Sequence, residues 1–275
     1  MKWTVFGGSG FVGRSLVEEL GRLNESVYYP SRTETEAGIK GQSLGRVIYC
    51  IGMTADFRNR PFETIQAHVC VLSEILAQNQ IESITYLSST RVYAGIDSTE
   101  EERALIVNPV CPSDLYNLSK LMGESFCLCS GIPARIVRLS NVYGDAEYPN
   151  CTSPMFISSL LRECAEQKKL LLRTSPSSSK DYIHVKEAAN LILAIAAQGK
   201  SKIYNVASGC NVSNAEIAMV LQKCGIPVEF VSEASSINFA SICINRIREE
   251  FFVPIHRLTE NIPSLLKAFQ NHYSQ

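Results

Sequence analysis

No stretch of the sequence reaches the roughly 18 uninterrupted apolar residues that a membrane span needs, which argues against a spanning helix. An excess of one charge is missing too: 26 Lys and Arg stand against 27 Asp and Glu, a formal net charge of -1. Without a basic stripe, neither nucleic acid nor an anionic membrane is an expected partner. The short charge runs at residues 100–103 and 246–250 read as solvated helix faces or turns. Internal repeats are absent, and the one biased tract, residues 175–179, reads as a loop. The first seven residues lack the apolar region and cleavage site of a secretory signal, so the cytoplasm is the expected location.

Cysteine is plentiful, with ten residues, but the spacing of metal and redox motifs is lacking. The one close pair, Cys127 and Cys129, has a single residue between its members rather than two. Scattered cysteines inside apolar segments are expected as free thiols in a reducing compartment, with no metal bound.

What is present is an alternation. Apolar runs of strand length occur at residues 4–6, 26–29, 46–51, 83–88 and 134–139. They are mostly continuous rather than alternating, as in a parallel sheet buried on both faces. Helical patterns lie between them at 12–23, 61–79 and 114–129. This is the rhythm of a doubly wound α/β fold. After residue 139 come a helix at 154–168, a strand at 169–172, and a segment at 181–185 leading into a helix at 186–198. A strand at 203–206 and a final helix at 260–271 complete the pattern, with another helix at 213–224 whose Ser213 and Glu216 have capping-box spacing. These late pieces predict a small mixed domain that binds substrate. Residues 1–145 and 181–207 are assigned to a dinucleotide-binding domain, and 146–180 and 208–275 to the substrate part.

Gly7-Gly8-Ser9-Gly10-Phe11-Val12-Gly13 follows the first strand and opens a helix. Glycines let the backbone approach a pyrophosphate, and the helix start offers unpaired N–H groups to it. A merely structural turn is the plain alternative, but the strand-turn-helix context favours a dinucleotide. At the second strand's end, an Asp or Glu would select NAD through the ribose 2′-hydroxyl. Here the chain reads Tyr29-Pro30-Ser31-Arg32. Ser31 and Arg32 suit a 2′-phosphate, which favours NADP, while Glu34 keeps NAD open.

Tyr116 and Lys120 stand four residues apart on one helix face. An ammonium beside a phenol favours its ionised form, and lowering a tyrosine by three pKa units takes roughly 4 kcal/mol. Such a phenol can exchange a proton with an alcohol as hydride moves. Alone, the pair is common on solvated helices. It is joined by Ser88-Ser89-Thr90-Arg91-Val92-Tyr93 after the preceding strand, where ligands of doubly wound folds collect.

These elements, in this order, resemble the extended short-chain dehydrogenase/reductase family, the NAD-dependent epimerase/dehydratase type that modifies nucleotide sugars. Arg138-Leu139-Ser140-Asn141-Val142-Tyr143-Gly144, Lys180-Asp181-Tyr182-Ile183-His184-Val185 and Ile203-Tyr204-Asn205-Val206-Ala207 are similar to further family segments. The resemblance implies a Rossmann-type fold with Ser89, Tyr116 and Lys120 as catalytic residues. It implies cofactor contacts at Gly7, Ser9, Gly10, Phe11, Val12 and Gly13, with Ile51, Tyr116 and Lys120 adding to them. Ser89, Thr90, Asn141 and Lys180 are implied substrate contacts, and a homodimer built through residues 61–79 and 114–129 is the implied assembly.

The chain also departs from the family pattern. Relatives that dehydrate the sugar carry Asp and Glu where Thr90 and Arg91 stand, so dehydration is not expected. Only about a dozen residues follow Arg32 before the next strand, too few for a full helix and strand. The third strand is therefore expected to be truncated or missing. His68 replaces the usual Asn, and both it and His184 read as hydrogen-bonded structural histidines. The expected activity is reduction of a keto-sugar nucleotide by NADPH. A UDP-glucose 4-epimerase-like enzyme with tightly bound NAD is the alternative, and a non-catalytic cofactor-binding protein the third reading.

Overall fold

The computed structural model describes residues 2–53, 56–144, 155–233, 236–252 and 254–273. The first half of the chain runs β1 (Lys2–Phe6), α1 (Phe11–Arg22), β2 (Ser26–Tyr28), α2 (Arg32–Ala37) and β3 (Ser43–Tyr49). It continues with α3 (Pro61–Ile65), a π turn (Gln66–Cys70), α4 (Val71–Gln78), β4 (Gln80–Ser89), a 3₁₀ turn (Thr90–Tyr93), α5 (Asp114–Cys129) and β5 (Ala134–Leu139). Next come β6 (Asn141–Tyr143), α6 (Phe156–Gln167), β7 (Leu170–Leu172), β8 (Ser179–His184), α7 (Val185–Gln198) and β9 (Ile203–Val206). The chain closes with β10 (Asn211–Ser213), α8 (Asn214–Lys223), β11 (Val228–Phe230), α9 (Asn245–Glu250) and α10 (Leu258–Tyr273).

Six parallel strands form the central sheet in the order β2-β1-β3-β4-β5-β9. Successive side chains leave a strand on opposite faces, and here both faces are buried. Val5, Ile48, Leu87 and Val137 pack with Leu16 and Leu20 of α1 and with α7 on one side. Phe6, Tyr49, Tyr86 and Ile136 pack with Leu72 and Ile75 of α4 and with Cys127 of α5 on the other. This is the α/β, Rossmann-type architecture expected of continuous apolar strands. A separate core gathers Leu160 and Leu161 of α6, Ile217 and Leu221 of α8 and Leu265 and Phe269 of α10. It is accompanied by the three-stranded sheet β10-β8-β6 and the pair β11-β7. The nine described cysteines are free thiols. No described helix is long and apolar enough to cross a membrane.

The sheet ends at β2 among the described residues. The missing third strand agrees with the short spacing, but its helix survives as the six residues of α2. A capping box holds that helix: Ser31 Oγ accepts from Glu34 N–H, and Glu34 accepts from Ser31 N–H. Reciprocal capping of this kind lets so short a helix form at all. The expected capping box at Ser213 and Glu216 is likewise formed.

The helix expected over residues 61–79 is divided. A π turn at Gln66–Cys70 interrupts it between α3 and α4. An extra residue per turn of this kind is local strain that needs compensation. It carries His68, which is fully buried. The His68 Nε2 accepts the Met53 N–H at 3.1 Å, so Nδ1 holds the proton and donates to Ser119 Oγ at 2.8 Å. Ser119 Oγ donates in turn to the Tyr116 carbonyl at 2.9 Å. The chain after β3 and the helix α5 are thereby tied together through one imidazole.

Candidate active site

A cavity of about 730 Å³ opens along the carboxyl ends of the sheet strands, where ligands of doubly wound folds bind. One end is built by the turn after β1. Gly7 has φ +79°, a conformation that favours glycine, and a Cβ there would lie 3.1 Å from the Cys50 backbone. Gly13 is more restricted still, since a Cβ would stand 2.1 Å from the Gly7 carbonyl oxygen. The helix α1 begins at Gly10 without a side-chain cap. Its first N–H groups and partial positive charge therefore face the cavity. Gly7, Ser9, Gly10, Phe11, Val12 and Gly13 all line it.

The other end holds the hydroxyls and amines. Ser89 stands at the end of β4, and Tyr116 and Lys120 lie one turn apart on α5; all three line the cavity. Thr90, Asn141 and Lys180 line it as well. Asn141 spends its amide donor on the Asp181 carbonyl at 2.9 Å, and Lys180 Nζ lies 5.8 Å from the centre of the Phe156 ring. Three residues named from sequence do not line it: Ser31, Arg32 and Ile51. Ile51 packs instead against the core beneath the sheet, while its neighbours Cys50 and Gly52 face the cavity. Ser31 is engaged in its capping box, and Arg32 pairs with Glu36 at 2.7 Å on the surface. Sequence places substrate contacts in the loops at residues 53–60 and 147–154; the second lies outside the described residues.

Electrostatics in the site differ from the simple ammonium-beside-phenol picture. Burial pushes the Tyr116 phenol above its ordinary value. A hydrogen bond with Ser89 and the charge of Arg91 oppose that shift, and they are the groups that favour the phenolate. Lys120 turns its ammonium elsewhere: Nζ donates to the Leu87 carbonyl at 2.8 Å and lies 5.1 Å from the Tyr86 ring centre. Burial brings Lys120 down to about 8, with the Glu124 carboxylate resisting. Burial and the Lys120 charge together push His68 down to about 2, so it is a neutral ring. That ring meets Tyr116 edge-on at 5.2 Å, and Phe57 packs on the same phenol at 5.0 Å.

Sequence reading missed the support beneath the site. Glu124, one turn past Lys120, pairs with Arg138 of β5 inside the core. A charged residue in the middle of an apolar strand was the available signal, since such a charge needs a partner. Of the loop at residues 53–60, which the sequence offers as a source of substrate contacts, Met53, Phe57 and Arg58 line the cavity, although sequence singles out no residue within it.

The family model for "NAD dependent epimerase/dehydratase family" matches residues 3–207. Among curated relatives, a dTDP-glucose 4,6-dehydratase of Streptomyces griseus is 24% identical over 217 residues, covering 74% of this chain and 63% of the relative. The human dTDP-D-glucose 4,6-dehydratase is 26% identical over 171 residues, covering 60% of this chain and 45% of its own. The match thus spans less than two thirds of these relatives. Among solved structures, RMD from Pseudomonas aeruginosa complexed with NADPH is 21% identical, with a TM-score of 0.77 over 98% of this chain and 100% of the other. A UDP-glucuronic acid 4-epimerase from Bacillus cereus is 17% identical, with a TM-score of 0.78 over 99% and 100% of the two chains. At these identities the structural likeness establishes the fold.

Proposed function

The chain belongs to the NAD dependent epimerase/dehydratase family, and on that premise we propose that it reduces a keto-sugar carried on a nucleoside diphosphate, with NADPH as reductant. The observation that carries this reading is the meeting of Ser89, Tyr116 and Lys120 in one cavity with the glycine turn. The turn fits a dinucleotide: positions 7 and 13 leave no space for side chains, and the α1 start is uncapped. When bound, the nicotinamide supplies the hydride. Tyr116 gives its phenolic proton to the substrate oxygen as the carbonyl becomes an alcohol. Ser89 orients that oxygen and stabilises its developing charge. Lys120, anchored on Leu87, would hold the cofactor ribose through its remaining donors.

Two features favour net reduction with NADPH. No Asp or Glu ends β2, and the Glu34 carboxylate is engaged by Ser31. Arg32 is exposed and held only by a surface ion pair, an interaction weak enough to exchange for a 2′-phosphate. With β2 at the sheet edge, the adenosine half would be less covered, which suits a cofactor that enters and leaves in each cycle. Thr90 and Arg91 supply neither carboxylate of a dehydratase. Residues 146–180 and 208–275 form the substrate part. Exposed Phe62, Met122 and Phe126 on α3 and α5 suit a twofold dimer, and the free thiols suit the cytoplasm.

The test is product analysis with 4-keto-sugar nucleotides. Stoichiometric loss of NADPH with formation of an alcohol is expected. Interconversion of two sugar epimers without net cofactor change would replace this reading with epimerisation.

A further inference from the structure

Charge in the cavity is unbalanced. Arg14, Arg58, Arg91, Lys120 and Lys180 line it, against Asp181 as the one carboxylate among the described lining residues. Asp181 is already committed: it accepts from Ser208 N–H at 2.9 Å, Ser208 Oγ at 2.8 Å and Cys210 N–H at 3.1 Å. It has little left to offer the cations.

Arg91 is the least satisfied of them. Its Nε is buried with no hydrogen-bond partner among the described residues. A buried guanidinium nitrogen left unpaired carries a desolvation cost, unless a ligand supplies the acceptor. The Arg91 guanidinium carbon lies 5.4 Å from the centre of the Phe57 ring, and that of Arg58 lies 4.5 Å from the same ring. The Phe57 ring in turn packs on Tyr116 at 5.0 Å. The charge of Arg91 is felt by both Tyr116 and Lys180. Two guanidinium groups and an ammonium thus surround the space beside the phenol; Arg91 feels the charge of Asp114 at a distance, but it makes no ion pair with a described carboxylate.

Taking the site as one for nucleotide sugars, as proposed above, we infer that Arg91 pairs with a carboxylate on the sugar ring, so that the substrate is a nucleoside diphosphate hexuronate. The geometry separates this anion from the diphosphate. The diphosphate is attached at the anomeric carbon, whereas the reacting carbon must lie at the phenol. An anion that pairs with a guanidinium stacked on Phe57, whose ring packs in turn on that phenol, fits a carbon near the reacting one. In a hexuronate reacting at C4, the C6 carboxylate hangs on C5 and meets this requirement. The planar guanidinium fork matches a carboxylate with two parallel hydrogen bonds. A neutral hydroxymethyl group in the same place would leave the fork unpaired, and that cost sets the preference.

The test is calorimetric binding to the cofactor-loaded protein. The free diphosphates of uridine, thymidine and guanosine are compared first, and the glucuronate and glucose esters of the best base follow. The glucuronate ester is expected to bind about tenfold tighter than the glucose ester, the size of one charge-assisted pair. Arg91→Met should erase that preference while leaving affinity for the free diphosphate within about twofold, and Arg91→Lys should keep part of it. Equal affinity for the two esters, or a preference that survives Arg91→Met, overturns the inference and leaves the nucleotide-sugar reading standing. Equal weakening of the free diphosphate by Arg91→Met assigns the residue to the phosphates and also overturns it. If none of the three diphosphates binds, the nucleotide-sugar reading fails and the inference with it.

Discussion

Glu124 and Arg138 meet through hydrogen bonds of 2.7 and 3.1 Å, with their side chains only 5% and 4% exposed. Ser88 also donates to the carboxylate, and Arg138 reaches Tyr93 Oη at 2.8 Å and the Glu101 carbonyl at 3.0 Å. The pair is thus the floor on which the ends of β4 and β5 and the helix α5 rest. Removing one partner of such a pair strands a buried charge, at a typical cost of about 3–5 kcal/mol. Glu124→Ala is expected to lose that much in urea unfolding. A loss under about 1 kcal/mol would show that the guanidinium finds another partner.

His68 sets an acid dependence. Its ring is held near 2 in the folded protein against about 6.5 when exposed. Between those values the unfolded chain binds a proton that the folded one does not, so stability falls as pH drops below about 6.5. The slope from this one group is up to about 1.4 kcal/mol per pH unit. Urea midpoints of the protein and of His68→Gln, measured from pH 7 to 4, should diverge, with the variant showing the shallower loss. Parallel curves would mean that the ring finds a way to protonate in place.

Lys120 sets an alkaline one. Its ammonium is present below about 8 and lost above. Affinity for NADPH is expected to hold steady up to neutrality and to weaken as pH rises through about 8. A fluorescence titration series would follow it, and Lys120→Arg should flatten the decline, since a guanidinium stays charged. An unchanged decline in that variant would assign the titration to another group.

Tyr116→Phe should cut turnover by about 10² to 10⁴-fold, the usual worth of a positioned proton donor. Its NADPH affinity should change little, because the proposed role is proton transfer. Turnover within tenfold of the parent would remove the phenol from the chemistry.

Arg32→Glu tests the cofactor preference directly. It should weaken NADPH by about tenfold or more, placing a carboxylate where the 2′-phosphate would lie, and leave NADH nearly untouched. Equal affinity for NADPH before and after the change counts against that assignment.

Much of this was legible in the sequence because it is local. Continuous apolar strands, the glycine turn after β1 and the four-residue spacing of Tyr116 and Lys120 each follow from residues near one another in the chain. The short gap after Arg32 likewise foretold the missing strand. Other features hide because their causes are distant. The π turn exists where His68 finds Met53 and Ser119, residues on two other segments. Propensity within residues 61–79 contains no trace of that agreement. Arg91 was legible as a missing carboxylate, but its place depends on Phe57 and Lys180, which only folding brings near. Ser31 carried two readings, phosphate donor and helix cap, and sequence favoured the first without seeing the second.

The outer margin of the sheet has a bearing on how the chain behaves in company. Losing a marginal strand usually exposes a row of backbone donors and acceptors that a foreign segment can copy onto. Here that row belongs to β2, three residues long. Three residues offer few rungs to another chain, so the margin left by the absent third strand is a poor template for edge-to-edge pairing.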